Sequence, residues 1–298
     1  IREDLASKNP DAFNPDLASS YNNAGVLYSN LQDYPKAEEF YLKAIAIRED
    51  LASKNPDAFN PDLAMSYNNA GVLYDDLQDY PKAEEFYLKA IALYEDLASK
   101  NPDAFNPDLA MSYNNAGVLY RNLQDYPKAE KFFLKAIAIL EALASKNPDA
   151  FNPDLASSYN NAGVLYSDLQ DYLKAEEFSL KAIAIREDLA SKNLDAFNPD
   201  LAMSYINAGN LYYALKDYPK AERLFLIAFA ILEALASKNP DAFNPDLASS
   251  YNNAGVLYRN LQDYSKAEKF YLKAIAIRED LASKNPDAFN PDLASSYN

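Results

Sequence analysis

Asparagine recurs at intervals of 46 residues along this sequence, at Asn23, Asn69, Asn115, Asn161, Asn207 and Asn253. Each side-chain amide offers both hydrogen-bond donors and an acceptor, so a row of them is suited to hydrogen-bonding chemistry. The same row is also what solvated helix-surface residues would look like after repeated duplication. The residues themselves leave both interpretations open.

The residue types that carry most catalytic and metal chemistry are missing from the chain. Its 298 residues include no cysteine and no histidine. This excludes a disulfide framework, Cys–His and Ser–His–Asp catalysis, and the two commonest ligands of transition metals. Carboxylates are plentiful, but the pattern places none on an apolar, pocket-forming face that would raise its pKa usefully. We therefore expect a protein that is not an enzyme and binds no cofactor or metal.

The charge of the chain bears on its partners and location. A formal net charge of −16 disfavours nucleic acid and anionic membranes, since affinity for both comes from clustered Lys and Arg. No stretch approaches the roughly 18 apolar residues of a membrane span, and no signal peptide precedes the repeats. We expect a cytoplasmic location without a nucleic-acid or membrane partner.

A 46-residue unit, first seen complete from Asp16 to Pro61, recurs along the whole sequence. A fixed period of this size predicts a solenoid, in which each unit buries its apolar face only by stacking on its neighbours. We expect one extended array, not two globular domains. Its parts are a partial repeat (1–15), six repeats (16–61, 62–107, 108–153, 154–199, 200–245, 246–291) and a second partial repeat (292–298).

Each unit is predicted to contain two helices. The first is expected to begin at Pro15, because Asn14 is a good N-cap and proline is tolerated at the first helical position. The second follows a break at Gln32–Asp33, with Asp33 as its cap, and ends near Lys54 or Asn55, since Pro56 disfavours helical geometry in its predecessor. The second helix should therefore be about 21 residues long.

Helical periodicity divides the first helix into two faces. The apolar or small stripe comprises Leu17, Ala18, Tyr21, Ala24, Gly25, Leu27, Tyr28 and Leu31. The opposite face carries Ser19, Asn22, Asn23, Val26, Ser29 and Asn30. Gly25 is unfavourable inside a helix, so its recurrence in all six units predicts a close approach of the two helices of a unit.

The second helix has a charged face that we expect to be solvated, with Glu39–Lys43 and Asp50–Lys54 pairs at i, i+4. Its other members are Lys36, Glu38 and Glu49. The apolar stripe of this helix contains Arg48, Arg186 and Arg278, where other copies have Tyr94, Leu140 and Leu232. We expect the arginine stems to pack while the guanidinium groups reach a neighbouring acid or solvent.

The unit resembles the tetratricopeptide repeat (TPR). Tyr21-x2-Ala24-Gly25-x2-Tyr28, followed by Ala37-x3-Tyr41, is similar to the signature W-x2-L-G-x2-Y…A-x3-F. The long period and the Asn-Asn pair are most similar to the kinesin-light-chain variety. The resemblance implies an all-α, right-handed superhelix of helix pairs, with an inner groove that binds peptide segments of partner proteins. It also implies that the recurring asparagines, beginning with Asn23, bond to the peptide backbone.

The most variable place on the predicted groove face is that of Ser29, which is occupied by Ser29, Asp75, Arg121, Ser167, Tyr213 and Arg259. Such variation fits a recognition surface, but drift at tolerant surface sites predicts the same. Arg121 and Arg259 are the cations at this place. They do not form the set of groove-facing Lys and Arg that family members use to bind acidic C-terminal chaperone peptides, so a role as a chaperone cofactor is disfavoured.

Repeat five departs most from the others, with Ile206, Asn210, Tyr213 and Ala214 at places that hold polar residues or valine elsewhere. An aromatic and a branched aliphatic residue on a polar face resemble an interface anchor. The alternative is a packing change that accompanies Leu224, Ile227 and Phe229 in the same repeat.

Two functions remain open. The first is a protein-interaction scaffold that binds an extended peptide in the groove, and the alternative is a purely structural or idealised self-stacking solenoid. Residues 1–22 are identical to residues 277–298, and neither end shows a polar capping repeat. We expect end-to-end self-association through these half-units; the rival explanation is a window cut from a longer array.

Overall fold

The computed structural model describes residues 2–296, in which fourteen α-helices and no strand occur. The helices are α1 (Arg2–Lys8), α2 (Pro10–Asn30), α3 (Tyr34–Lys54), α4 (Pro56–Asp76), α5 (Tyr80–Lys100), α6 (Pro102–Asn122), α7 (Tyr126–Lys146), α8 (Pro148–Asp168), α9 (Tyr172–Lys192), α10 (Leu194–Ala214), α11 (Tyr218–Lys238), α12 (Pro240–Asn260), α13 (Tyr264–Lys284) and α14 (Pro286–Ser296). The predicted all-α fold of helix pairs is confirmed. Ile1, Tyr297 and Asn298 lie outside the described residues, and the expected end-to-end contact stays a prediction.

The helices belong to two compact units, residues 1–151 and 152–298. In the first unit each of α1 to α6 packs on the next helix in sequence, and α2, α4 and α6 also touch one another in order. In the second unit α9 to α14 pack in the same sequential manner. Neighbours in sequence are thus neighbours in space within each unit, as expected for a repeat fold. The expectation of one continuous array stays a prediction.

In each 46-residue repeat the first helix begins five residues earlier than the sequence analysis predicted. In the first full repeat it starts at Pro10 instead of Pro15, and in the second it starts at Pro56. Asn55 explains the difference, because its Oδ1 accepts a hydrogen bond from the N–H of Ala58 at 3.3 Å. This caps the helix with proline at the first position, where a missing N–H costs nothing. Pro61 then lies inside the helix.

The second helix matches its prediction at both ends. Asp33 is the N-cap and accepts from the N–H of Lys36 at 3.4 Å. Helix α3 spans 21 residues and ends at Lys54, so that Asn55 alone separates it from α4. The predicted Glu39–Lys43 and Asp50–Lys54 pairs form, at 2.6 and 2.7 Å.

The turn between the two helices of a unit closes in the same way in every repeat. In the second repeat the N–H of Asp79 donates to the carbonyl of Tyr74 at 2.8 Å, and the N–H of Gln78 donates to that of Asp75 at 2.9 Å. This pair of bonds is the Schellman motif, in which the residue after the helix adopts a left-handed conformation. The residues in that conformation have φ of 58° to 61°: Gln32, Gln78, Gln124, Gln170, Lys216 and Gln262.

The two helices of a repeat approach each other closely at the recurring glycine, as the sequence predicted. A Cβ atom added to Gly71 would lie 2.5 Å from the Tyr87 ring, and one added to Gly117 would lie 2.6 Å from the Phe133 ring. Glycine is therefore required where the second helix places an aromatic ring against the first. Gly163 is the exception, because it faces the hydroxyl of Ser179.

Two glutamates of the charged face are not simply solvated, which corrects the prediction. The hydroxyl of Tyr67 donates to Glu49 at 2.6 Å, and that of Tyr74 donates to Glu38 at 2.7 Å. Both tyrosines belong to the repeat that follows the glutamates. Because a buried tyrosine body needs a partner for its polar tip, these bonds fix one repeat on the next.

Arg48 and Arg186 donate to oxygen atoms of neutral groups and not to an acid or solvent, contrary to the prediction. Arg48 is only 3% exposed. Its Nη1 donates to the carbonyl of Asp62 at 2.9 Å and to the hydroxyl of Ser66, and its Nη2 donates to the hydroxyl of Ser19 at 3.4 Å. Burial lowers the pKa of Arg48. The neutral oxygens satisfy the donors, which a buried guanidinium requires.

Ser19 and Arg48 vary together among the repeats. Serine accompanies arginine, whereas methionine accompanies tyrosine or leucine. The six pairs are Ser19/Arg48, Met65/Tyr94, Met111/Leu140, Ser157/Arg186, Met203/Leu232 and Ser249/Arg278. The chain therefore contains two kinds of repeat that differ in how the same internal site is filled.

Within the part of the chain that the structure describes, no helix is both long and apolar enough to cross a membrane.

Candidate functional site

The exposed side of the first helices is the candidate site. We call it the asparagine face and define it, in each repeat, by the places of Asn23, Val26, Ser29 and Asn30. Val26 and Val72 are both more than one-third exposed, and Asn23 is exposed as well. The two compact units carry their own portions of this face, and each is described separately.

Asn69, Asn115 and Asn207, three of the recurring asparagines, bond to the preceding repeat. In the first unit Asn69 Nδ2 donates to Asn22 Oδ1 at 3.3 Å, and Asn115 Nδ2 donates to Asn68 Oδ1 at 3.3 Å. In the second unit Asn207 Nδ2 donates to Asn160 Oδ1 at 3.1 Å. These bonds give the asparagines a structural role in addition to any role in binding.

The acceptor asparagines are less accessible than predicted. Asn22 was expected on the exposed face, but Asn22 and its equivalent Asn68 are both buried. They lie between consecutive first helices, where Asn22 also accepts from the hydroxyl of Ser66 at 3.2 Å. Of the two adjacent asparagines in each repeat, only the one at the place of Asn23 lies on the asparagine face.

The variable place of Ser29 is paired with the next repeat. Asp75 accepts a hydrogen bond from Asn122, and the hydroxyl of Tyr213 accepts one from Asn260 Nδ2. Asp75 Oδ1 is buried without a hydrogen-bond partner among the described residues. Burial raises the pKa of the Asp75 carboxyl, although the bond from Asn122 acts in the opposite direction. Its pairing with the next repeat means that this place also affects how repeats stack.

The repeat-five substitutions occupy two different environments. Ile206 is 6% exposed and packs in the core of the second unit. This contradicts its predicted place as an anchor on the groove face and supports the packing alternative for this residue. Asn210 is exposed and Tyr213 is partly exposed, and both line a cavity of about 120 Å³ together with Phe225, Asn253 and Val256.

A larger cavity of about 200 Å³ lies beside Ser179. The other five repeats have tyrosine or phenylalanine at this place: Tyr41, Tyr87, Phe133, Phe225 and Tyr271. Those rings lie against the recurring glycine, whereas the side chain that Gly163 faces is the serine hydroxyl of Ser179. The lining consists of Gly163, Val164, Ser167, Asp168, Ser179, Asn207, Asn210 and Leu211. The sequence analysis missed this cavity, although the loss of an aromatic residue in one copy is visible in the sequence.

The structure brings together the site residues of the second unit. Asn207 and Asn210 line the cavity beside Ser179, while Asn210, Tyr213 and Asn253 line the smaller one, so Asn210 is shared. Asn161, partly buried, and Arg259, exposed, belong to the same unit. The remaining predicted residues belong to the first unit: Asn23, Asn69, Asn115 and Arg121. Among the described residues, no group of three or more potential ligands could hold a metal ion.

Models of the tetratricopeptide repeat match most of the sequence. The matched residues are 17–57, 63–103, 109–149, 155–193 and 200–280. A comparison with curated proteins gave no match.

Solved structures with a similar fold include repeat proteins of several kinds. BtubC (BKLC) from P. vanneervenii has a TM-score of 0.66 at 23% identity, covering 81% of this chain and 89% of that one. A Podosopora anserina protein of the kinesin-light-chain type with nearly identical TPR-like repeats has a TM-score of 0.55 at 17% identity, covering 74% and 96%. Aspartyl phosphate phosphatase F from Bacillus subtilis has a TM-score of 0.62 at 18% identity, covering 92% and 73%. At these identities the likeness concerns the fold alone.

Proposed function

This chain belongs to the tetratricopeptide repeat family, and on that basis we propose that its asparagine face binds an extended segment of a partner protein. Proteins of this family are generally scaffolds for protein–protein interaction. The finer proposal is that the first helices line a groove and that the second unit contains the part of it that selects the partner.

The observation that carries the proposal is the 200 Å³ cavity beside Ser179. It exists because one repeat lacks the aromatic ring that covers the glycine in the other five. A cavity of this size suits a single side chain of a bound segment, since sites for whole drug-sized ligands measure about 300–1,000 Å³. Filling a preformed cavity with one side chain is a common way to anchor an interface, and the serine, aspartate and asparagine residues of this lining favour a side chain that can form hydrogen bonds.

The neighbouring amides supply the polar part of the proposed contact. Asn207 and Asn210 line the cavity, and Asn210 and Asn253 line the next one along the face. Amides spaced along an extended backbone can pair with its N–H and C=O groups. Tyr213 lies at the smaller cavity together with Phe225 and Val256, where its aromatic side chain would give a bound segment an apolar contact.

Restoring the missing ring tests the proposal. Peptides of twelve residues would be selected from a displayed random library, and their affinities for the natural protein and for Ser179→Tyr would be measured by calorimetry. Tyrosine is the residue of three other repeats at this place, so the variant should fold while the cavity closes. We expect a loss of affinity of tenfold or more, which corresponds to about 1.4 kcal/mol.

A matched control separates the cavity from the rest of the surface. Lys181→Ala removes an exposed side chain of the same helix, whose partner is Glu177 at 2.7 Å, and should leave the affinity unchanged. If every selected peptide binds Ser179→Tyr as well as it binds the natural protein, the proposed binding mode is wrong.

The structural alternative also has an observation in its favour. The bonds from Asn69 to Asn22 and from Asn207 to Asn160 join consecutive repeats, so the asparagines could be retained for stacking alone. Replacing Asn207 and Asn253 by alanine distinguishes the two functions. A loss of peptide affinity with little loss of stability supports binding, whereas a loss of stability with unchanged affinity supports the structural role.

A further inference from the structure

A third cavity, of about 400 Å³, lies on the side of the second unit where the second helices are exposed. Its walls come from α9, α10 and α11. Ile183 and Leu180 contribute from α9, Tyr205 and Tyr212 from α10, and Leu224 and Ile227 from α11. None of these residues belongs to the asparagine face, so this cavity is separate from the proposed peptide site.

The other repeats show what normally occupies this place. Each of them has phenylalanine where repeat five has Leu224. In the fourth repeat Phe178 stacks on Tyr166 with ring centroids 5.4 Å apart and lies tilted against Tyr159 at 5.8 Å. In repeat five the equivalent tyrosines, Tyr212 and Tyr205, have no phenylalanine between them. The two tyrosines thus form a slot from which an aromatic ring has been removed.

The tyrosine walls of the slot are held in place. The hydroxyl of Tyr212 donates to Glu176 at 2.5 Å, and that of Tyr205 donates to Glu187. Both tyrosines are at most 7% exposed. Because the rings are already fixed by the fold, a ligand entering the slot does not have to order them, which reduces the cost of binding.

At the rim of the slot, repeat five has an apolar residue where the other repeats have lysine. It also has an arginine where three other repeats have glutamate and two, at Lys131 and Lys269, have lysine. Ile227 stands where Lys43, Lys89, Lys135, Lys181 and Lys273 occur elsewhere. Lys220 lies over the Tyr212 ring, 4.6 Å from its centroid. Arg223 replaces the glutamate of three other repeats, and among the described residues it has no ion-pair partner. A guanidinium beside an aromatic slot is complementary to a carboxylate.

We infer that this slot binds a segment of a partner protein that carries an aromatic side chain next to an acidic residue. The aromatic ring takes the place that phenylalanine occupies in the other repeats, between Tyr205 and Tyr212. The acidic residue pairs with Arg223. The protein then has two separate recognition sites, one on each exposed side of the second unit.

A methyl NMR titration with short peptides tests the inference. The full chain, labelled at isoleucine δ1 methyl groups, would be titrated with acetyl-Glu-Phe-Glu-amide, acetyl-Glu-Ala-Glu-amide and acetyl-Lys-Phe-Lys-amide. We expect the first peptide to shift the Ile183 and Ile227 signals in a saturable way. The alanine peptide should bind at least tenfold more weakly, and the lysine peptide at least fivefold more weakly.

Two variants restore the residues of the other repeats. Leu224→Phe fills the slot and should abolish the saturable shift of Ile183. Ile227→Lys is an independent test, which remains decisive if Leu224→Phe does not fold, and it should weaken binding at least fivefold. Arg223→Glu should reverse the preference between the glutamate and lysine peptides. Ser179→Tyr, which closes the other cavity, should leave these affinities unchanged.

Two outcomes would overturn the inference. One is equal binding of the phenylalanine and alanine peptides, and the other is saturable binding that survives both Leu224→Phe and Ile227→Lys. Since the peptide site on the asparagine face is tested by Ser179→Tyr, failure at one site can be distinguished from failure at the other.

Discussion

Arg186 donates from Nη2 to the hydroxyl of Ser157 at 3.1 Å, and both residues belong to the same repeat. The Nη1 of Arg186 donates to the carbonyl of Asp200, at 2.9 Å, and to the hydroxyl of Ser204, at 2.5 Å, in the next repeat. A buried guanidinium is favourable only when its donors are satisfied. This explains why arginine occurs at this place only in repeats that also have serine at the place of Ser157.

The first prediction concerns this pair. Ser157→Met alone removes one acceptor of a buried cation and should destabilise the protein by about 1–3 kcal/mol. Adding Arg186→Leu recreates the natural pair Met111/Leu140. The hydroxyl of Ser204, released from the arginine, can then bond within its own helix, as its equivalent Ser250 does to the carbonyl of Asp246 at 2.8 Å. Urea unfolding of both single variants and the double variant should give a coupling energy of about 0.5–3 kcal/mol. If the effects of the single variants simply add, the pair is not coupled.

The second prediction compares two glycines. In Gly117→Ala the new methyl group would meet the buried ring of Phe133 at 2.6 Å, and we expect a loss of about 1–3 kcal/mol. In Gly163→Ala it would meet Ser179 Oγ at 2.7 Å. That hydroxyl can rotate away, which leaves the backbone N of Ser179 at 3.2 Å as the remaining tight contact. Alanine is also favoured over glycine in a helix by about 0.5–1 kcal/mol. Thermal unfolding should therefore show a smaller loss for Gly163→Ala. Equal losses would mean that the ring is not the reason for the glycine.

The third prediction concerns pH. The folded protein raises the pKa of Asp75 through burial, so the ionised carboxylate destabilises the fold above that pKa. Asp75→Asn should therefore increase the free energy of unfolding at pH 7. The advantage should shrink as the pH falls through the raised pKa and be small below the ordinary aspartate pKa of about 3.9. Denaturant unfolding at several pH values measures it.

A matched variant provides the control for the pH experiment. The side chain of Asp57 is 86% exposed, so Asp57→Asn should show no comparable gain at pH 7. A gain in Asp75→Asn that is the same at pH 3 and pH 7 would contradict the electrostatic explanation.

The fourth prediction concerns Leu194, which stands near the end of the fourth repeat where the other full repeats have proline. Leu194 is the first residue of α10 and is 61% exposed. The five other helices that follow the second helix of a full repeat begin with proline: Pro56, Pro102, Pro148, Pro240 and Pro286. Leu194→Pro should stabilise the fold by about 0.4–1 kcal/mol, because proline restricts the unfolded chain and no bonded N–H is lost. Leu194→Ala is the control, and a proline variant less stable than it would refute the expectation.

The fold was predictable wherever local signals agreed. Asp33 as a cap and Pro56 as a terminator determine the second helix, and the recurrence of Gly25 indicated the contact with the second helix. The start of the first helix was wrong because Asn9–Pro10 and Asn14–Pro15 offer the same local signal. Periodicity alone does not choose between them.

The candidate site was predicted less completely, because burial depends on contacts between repeats. Ile206 was placed on the groove face by the helical wheel, but it lies in the core. Arg48 was expected to reach an acid, but its partners are oxygens of the next repeat and Ser19. In contrast, the cavity beside Ser179 follows from a difference between copies that is visible in the sequence.

The partners of the buried arginines determine how the number of repeats encoded by such a gene can change. The residue that varies with Arg48 is Ser19, in the same 46-residue unit, whereas the partners in the next unit are a backbone carbonyl and Ser66. The place of Ser66 is serine in every full repeat: Ser20, Ser66, Ser112, Ser158, Ser204 and Ser250. Unequal recombination that copies or deletes whole units therefore keeps the interdependent residues on one segment of DNA. Either kind of repeat can be placed before any other without leaving a buried guanidinium unsatisfied.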